Sequence, residues 1–229
     1  MHLFRTTTSC SRTLRLRGAL LAVGMLLAGS ALAGPPLLCH PFDTAGAPSL
    51  PWGHGWKDRH EGYDASRLIA DTQALLGTQV PVIARMETLR RAAIYASSNG
   101  AVARQLAAQL DARVTRAAGH AKALALFDAG YFAETLQDIG RLQGYDMPGV
   151  GTVDMAAVNA ILARVEGSTR IAQAIALRPA DPAMRFAAAL VSAADQRTAD
   201  YNTHARLARN GARADRLLAL NIGQVASSY

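Results

Sequence analysis

From Asp64 onward, apolar residues return every three to four positions, the spacing of one helix face, and no stretch alternates long enough to predict a strand. Asp64 stands where a cap belongs for a helix carrying Leu68, Ile69, Leu75 and Leu76, with Gly77 as its stop. Thr78 precedes a second helix with Pro81 in its first turn and Val82, Ile83, Met86, Leu89, Ala93 and Ile94 on one face; Asn99-Gly100 is expected to end it. A third helix sets Val102, Leu106, Leu110 and Val114 at steps of four, opposite Arg104, Gln105, Asp111, Arg113 and Arg116. A fourth (Ala121, Leu124, Ala125, Phe127) and a fifth (Leu136, Ile139, Leu142) are expected to meet at a turn, Ala129-Gly130.

The glycine-rich stretch 144–151 reads as a loop, with Thr152 as the next cap. The helix that follows carries Val153, Ala157, Ile161, Leu162 and Val165 and is expected to stop at Gly167; a shorter one over 168–177 stops at Arg178-Pro179. Asp181-Pro182 is a strong start signal, an acceptor at the cap and proline at the first helical position. Helices over about 182–194, 197–209 and 212–222 complete the pattern, with Asn210-Gly211 separating the last two. The fold class predicted is all-α: antiparallel helical hairpins, as a solenoid or an irregular bundle.

Two segments stand outside this pattern. Residues 34–62 are rich in proline and glycine and hold Trp52, Trp56, His40, His54 and His60. They predict an extended N-terminal strap held down by its aromatics. Residues 1–33 read as a secretory signal: Arg5, Arg12, Arg15 and Arg17, a short apolar run from Gly18 to Gly29, then Ala31-Leu32-Ala33. That run is too short to span a bilayer, which needs roughly 20 apolar residues. The expected organisation is signal peptide 1–33, strap 34–62 and helical domain 63–229. The expected location is the periplasm or the exterior, with no integral membrane span after cleavage.

Removing the signal changes the charge. The formal +7 of the 229-residue chain falls to +3 beyond residue 33, because four of its positive charges are the signal arginines. No run of like charge exceeds Arg90-Arg91, so the high isoelectric point is not the basic stripe of a nucleic-acid binder. Beyond residue 33 Cys39 is the lone cysteine, so no internal disulfide is expected.

Gly130-Tyr131-Phe132-Ala133-Glu134-Thr135-Leu136 resembles the turn and second-helix start of a tetratricopeptide repeat. Ile171, Ala174 and Pro179 are spaced like the end of such a repeat, and Asp181-Pro182 like the start of the next. Ala188-Ala189, Ala205 and Ala208 sit near its small helix-contact positions. The resemblance covers about 115–222, departs from the family at Tyr201, where a small residue is expected, and implies a concave surface that binds a peptide or protein segment.

Two sets of residues carry candidate chemistry. Cys39, His40, His54 and His60 offer thiolate and imidazole, donors suited to zinc, copper or haem iron, although no Cys-x-x-Cys-His or His-Glu-x-x-His motif is present. The favoured reading of the same residues is a strap packed over the first hairpin, with its polar groups at the surface. Tyr131, Phe132, Tyr145 and Tyr201 are candidates to line a partner groove, at a spacing that also fits core packing. Asp58, Glu61 and Asp64 suit the positive end of a helix. Arg85, Arg90, Arg91, Arg104, Arg113 and Arg116 read as a solvated cationic face. With no nucleophile or phosphate-loop motif, the expected function is a non-catalytic interaction or scaffold module that docks a protein or peptide partner in the cell envelope, without nucleic acid or cofactor. The alternative is a metal- or haem-binding envelope protein using the strap.

Overall fold

The computed structural model describes residues 37–39, 41–55, 58–145 and 149–225. The expected signal segment, His40 and Trp56 lie outside the described residues. Among those residues the protein is all-α, with no strand; the sole β feature is an isolated bridge between Trp52 and Arg59. A 3-10 turn, Ala65–Arg67, leads into α1 (Leu68–Ala74), α2 (Val82–Ser97), α3 (Gly100–Arg116), α4 (Gly119–Arg141), α5 (Met155–Leu162), α6 (Gly167–Leu177), α7 (Pro182–Ala194), α8 (Thr198–Gly211), a second 3-10 turn (Ala212–Ala214) and α9 (Arg216–Asn221). No helix among the described residues is long and apolar enough to cross a membrane.

Local chemistry sets several of these ends. Asp64 accepts the Ser66 amide, and Asp181 accepts the amides of Ala183 and Met184 with Pro182 at the first position of α7. Such caps are each worth about 1 kcal/mol. Asp154, rather than Thr152, caps α5 through the Ala157 amide. Asn99 adopts extended backbone and caps α3 through the Val102 amide, so Asn99-Gly100 opens a helix instead of closing the preceding one in a left-handed turn.

The largest departure is at Gly130. The expected turn is absent, and α4 runs unbroken from Gly119 to Arg141. A Cβ on Gly130 would lie 2.7 Å from the carbonyl oxygen of Gly167, and one on Gly167 would lie 2.6 Å from that of Gly130. Both residues are glycine because two helix backbones touch there. Gly167 accordingly begins α6 instead of ending α5, and α8 runs through Asn210-Gly211, with the chain breaking at Asp215, where Asp215 caps α9.

The 23-residue α4 is therefore the axis of the helical unit, packed against α2, α3, α5, α6 and α7. A solenoid's hairpins touch only their sequence neighbours; this arrangement gathers helices around one. Phe127, Tyr131 and Phe132 of α4 and Phe186 of α7 are among the largest fully buried side chains, and Tyr131 stacks on Phe127 with ring centres 5.6 Å apart. The alanine-rich faces that meet in the α7–α8 hairpin, Ala187, Ala188 and Ala189 against Ala205 and Ala208, are all buried.

The described part of the strap contains no helix, and Leu37, Leu38, Phe42 and Leu50 are core residues. Phe42 packs edge-on against Phe186 of α7 at 6.0 Å. Asp43 and Asn221 exchange hydrogen bonds of 2.9 and 2.8 Å, joining the strap to α9.

Candidate docking cleft and the buried charges around it

Arginines expected on a solvated face turn inward, because acids placed elsewhere in the fold meet them. Arg85 is fully buried: its Nη1 donates to both carboxylate oxygens of Asp128 at 2.9 and 2.7 Å, Nε donates to the Val80 carbonyl, and Nη2 donates to Leu76 and Gly77 carbonyls just past α1. Arg113 joins from α3, 3.4 Å from Asp128 and donating to the Leu76 carbonyl at 2.6 Å. This group ties α1, α2, α3 and α4 together. Arg104 and Arg116 alone of the six are exposed as expected.

A second group holds the strap. Glu87, one turn before Arg90 and Arg91, accepts from Arg90 at 2.8 Å through each oxygen and from Arg91 at 2.6 Å, and takes the Phe42 amide at 3.1 Å. Burial pushes the Glu87 carboxyl up, but Arg90, Arg91 and the Phe42 amide together hold it below its ordinary value. Arg90 and Arg91 donate to the Leu38 and Leu50 carbonyls, and both guanidiniums lie over Trp52, at 5.2 and 5.6 Å. Tyr95 closes the clamp by donating to the Pro51 carbonyl at 2.7 Å and accepting the His60 amide at 3.0 Å.

Of the candidate ligands, Cys39 is half-buried against the core, while His54 and His60 are exposed. Burial, with the nearby Asp138 charge, raises the Cys39 thiol above its ordinary value, against the pull of Arg90. Among the described residues no three His, Cys, Asp or Glu side chains converge to hold a metal ion. Of the candidate groove residues, Tyr131 and Phe132 are buried in the core, Tyr145 is 72 % exposed, and Tyr201 is half-buried on α8.

Sequence reasoning missed the two acids on the inner face of α4, Glu134 and Asp138. Their signal is a pair of carboxylates one turn apart in a helix otherwise apolar on that side. Glu134 is 3 % exposed and accepts the Ser168 amide, supplying the cap that Glu166 does not give α6. Burial, reinforced by the Asp195 charge, pushes Glu134 up to about 7. Burial likewise raises Asp138 to about 6, against Arg141 and the Leu37 amide. One carboxylate oxygen of each acid, and the Tyr131 hydroxyl, have no hydrogen-bond partner. Above the pair, Arg141, Asp195 and Arg197 form a charged rim, in which Asp195 bridges both arginines.

Two open clefts flank α6. One, of about 600 Å³, is polar and lies between Arg141, Ser168, Ala172 and Arg197. The other, of about 620 Å³, lies where the end of α3 and the start of α4 face α6; Val114, Leu126, Ala176 and Leu177 supply its apolar walls and Lys122, Arg170 and Glu166 its charged rim. Leu177 is 53 % exposed there, although it ends a helix whose opposite face, Ile171, Ala174 and Ile175, is buried. Lys122 donates to the Val114 carbonyl and Arg170 pairs with Asp111 at 2.5 Å, so the rim is held in place by side chains that span α3, α4 and α6. No family model, no curated protein and no solved structure matches this chain.

Proposed function

We propose that the protein is a non-catalytic helical interaction module of the cell envelope that docks a segment of a protein partner in the cleft between α3, α4 and α6. The observation that carries this reading is Leu177, an exposed leucine beside Val114, Leu126 and Ala176 in a cleft large enough for a few side chains. An apolar anchor from the partner fills the cleft, while Lys122, Arg170 and Glu166 at the rim offer charges of both signs to polar groups flanking it. The tetratricopeptide-like reading of about 115–222 loses its turn at Gly130, where α4 is unbroken, and keeps as support only the burial of Ile171, Ala174, Ala188, Ala189, Ala205 and Ala208. Export to the periplasm or beyond, the premise for an envelope partner, rests on the expected signal 1–33.

The test is retention of a partner from envelope extract on immobilised protein. The wild type and an Ala199→Asp control on exposed α8 are expected to retain the same partner, and Leu177→Asp to lose it. Equal retention by Leu177→Asp contradicts the reading.

A further inference from the structure

Residues 201–225 carry Arg206, Arg209, Arg213 and Arg216 against a single acid, Asp215. Asp215 is already committed: its side chain accepts the Leu218 amide and caps α9. Spread along the sequence these arginines form no run, but folding turns three of them outward, on α8, the turn that continues it and α9. Ala205, Ala208 and Ala212 are buried on one face of α8 and the turn that continues it. Arg206, Asn210 and Arg213, at the complementary helical positions, occupy the opposite face and are exposed. In α9, Leu218 and Asn221 are buried, so Arg216 and Leu220, four residues apart, share the outward side. Leu220 is 51 % exposed.

None of Arg206, Arg213 and Arg216 has an ion-pair partner among the described residues, whereas Arg141, Arg170, Arg178 and Arg197 all do; exposed Arg104, Arg116 and Arg164 share that lack, but α3 and α5 beside them expose no large apolar side chain. Like charges without counter-charges repel one another, and an anionic surface laid over them relieves that repulsion to the extent that dissolved salt has not already screened it. The pairing of arginine with an outward leucine selects the kind of surface. A single-stranded nucleic acid asks for cations interleaved with stacking aromatics, and no Trp, Phe or further Tyr occurs between Tyr201 and Val225; a duplex backbone would engage the cations and Asn210 but leave Leu220 without a role. A bilayer uses both features at once, phosphate headgroups for the guanidiniums and the interfacial layer for the leucine. Snorkelling arginines fit that interface.

We propose that the edge formed by Arg206, Arg213, Arg216 and Leu220 docks on the headgroups of an anionic lipid bilayer. The contact is peripheral and reversible, and it turns the α8–α9 end of the molecule toward the membrane. It is independent of the cleft at Leu177.

The test is co-sedimentation of the full purified protein with vesicles containing about one-third phosphatidylglycerol in phosphatidylcholine, against vesicles of phosphatidylcholine alone. The wild type partitions onto the anionic vesicles, and about 1 M salt, which shortens the screening length to about 3 Å, releases it. An arginine near an anionic surface is worth about a fivefold change in partition, so the triple variant Arg206→Gln, Arg213→Gln, Arg216→Gln falls roughly a hundredfold. Leu220→Ser lowers partition by a few-fold. A second triple variant, Arg104→Gln, Arg116→Gln, Arg164→Gln, removes the same charge from exposed positions elsewhere and leaves partition unchanged apart from a small loss. All seven positions are solvent-facing, so circular dichroism of each variant matches the wild type. Equal partition onto neutral vesicles, an equal loss in both triple variants, or binding to heparin or nucleic acid without binding to vesicles overturns the proposal.

Discussion

Gly130 and Gly167 meet backbone to backbone where α4 crosses α6, each placed so that a Cβ would fall within 2.7 Å of the other's carbonyl oxygen. Backbone cannot rotate away as a side chain can. Gly130→Ala is therefore expected to cost about 2 kcal/mol, even though alanine is worth about 1 kcal/mol more than glycine inside a helix. In a chain of this size that lowers the melting temperature by about 4–8 °C. Gly140→Ala in the same helix is the control, since its nearest neighbour is the flexible tip of Met155 at 3.4 Å. Thermal denaturation of the pair separates the two cases: a fall at 130 with none at 140 is predicted, and an unchanged or raised midpoint at 130 contradicts the crossing.

Arg85 and Asp128 are each fully buried and satisfy one another. Asp128→Ala leaves the guanidinium charged in the core and is expected to cost about 3–5 kcal/mol. The double variant Arg85→Met, Asp128→Leu removes both fully buried charges, leaves the half-buried Arg113 without its acid, and is expected to recover part of that loss. Chemical denaturation of the single and double variants measures the coupling; additive losses contradict it.

Glu134 and Asp138 make stability depend on pH in a direction opposite to that of an ordinary salt-bridged acid. Their folded values, about 7 and 6, lie above 4.5 and 3.8, so the folded chain binds these protons more tightly than the unfolded one. The stabilisation is complete below the unfolded values and is lost as pH rises through about 6 and then 7. Unfolding free energy should be greater near pH 5 than near pH 8 by on the order of 2–4 kcal/mol for the pair. His204, which burial lowers, opposes this on the acid side. Glu134→Gln is isosteric with the protonated acid and should flatten the upper part of the profile. A wild-type profile that the substitution leaves unaltered contradicts the assignment.

Glu87 is the anion on which Arg90, Arg91 and the Phe42 amide converge, so Glu87→Gln should loosen the strap before the helices. Cys39, half-buried and with its thiol raised, should then be alkylated several-fold faster under native conditions, with global unfolding measured alongside as the reference. Labelling at the wild-type rate would show that the strap is held by Leu37, Leu38, Phe42 and Leu50 alone.

The parts of the fold legible in the sequence are those whose causes are local. Asp64 and Asp181 announce helix starts because a cap bonds amides two or three residues ahead. The strap is legible as proline- and glycine-rich chain; its anchoring is legible only at Trp52, which lies under Arg90 and Arg91, and not at the buried Leu37, Leu38 and Leu50. Gly130, Gly167 and Gly211 mislead for the converse reason. Their smallness answers to a neighbour from another element (for Gly211, Pro182), and a pattern read along the chain converts that into a turn. Arg85 misleads likewise, since Asp128 is 43 residues away. Glu87 with Arg90 and Arg91 was readable as a helical i,i+3 and i,i+4 set, but nothing local says that it faces inward. The cleft is less legible still: Val114, Lys122, Arg170 and Leu177 come from three helices, and their convergence is a product of how α6 lies on α4.

That convergence is tested most directly by a photo-crosslinking residue placed at Gln173, on the wall of the cleft, in protein carrying an intact or an altered Leu177. Irradiation in envelope extract should join position 173 to one partner, with no product from a crosslinker at Ala199 and none from Gln173 when Leu177 is changed to Asp. Products that are the same from 173 and 199, or that persist with Leu177→Asp, would contradict a docking site between α3, α4 and α6.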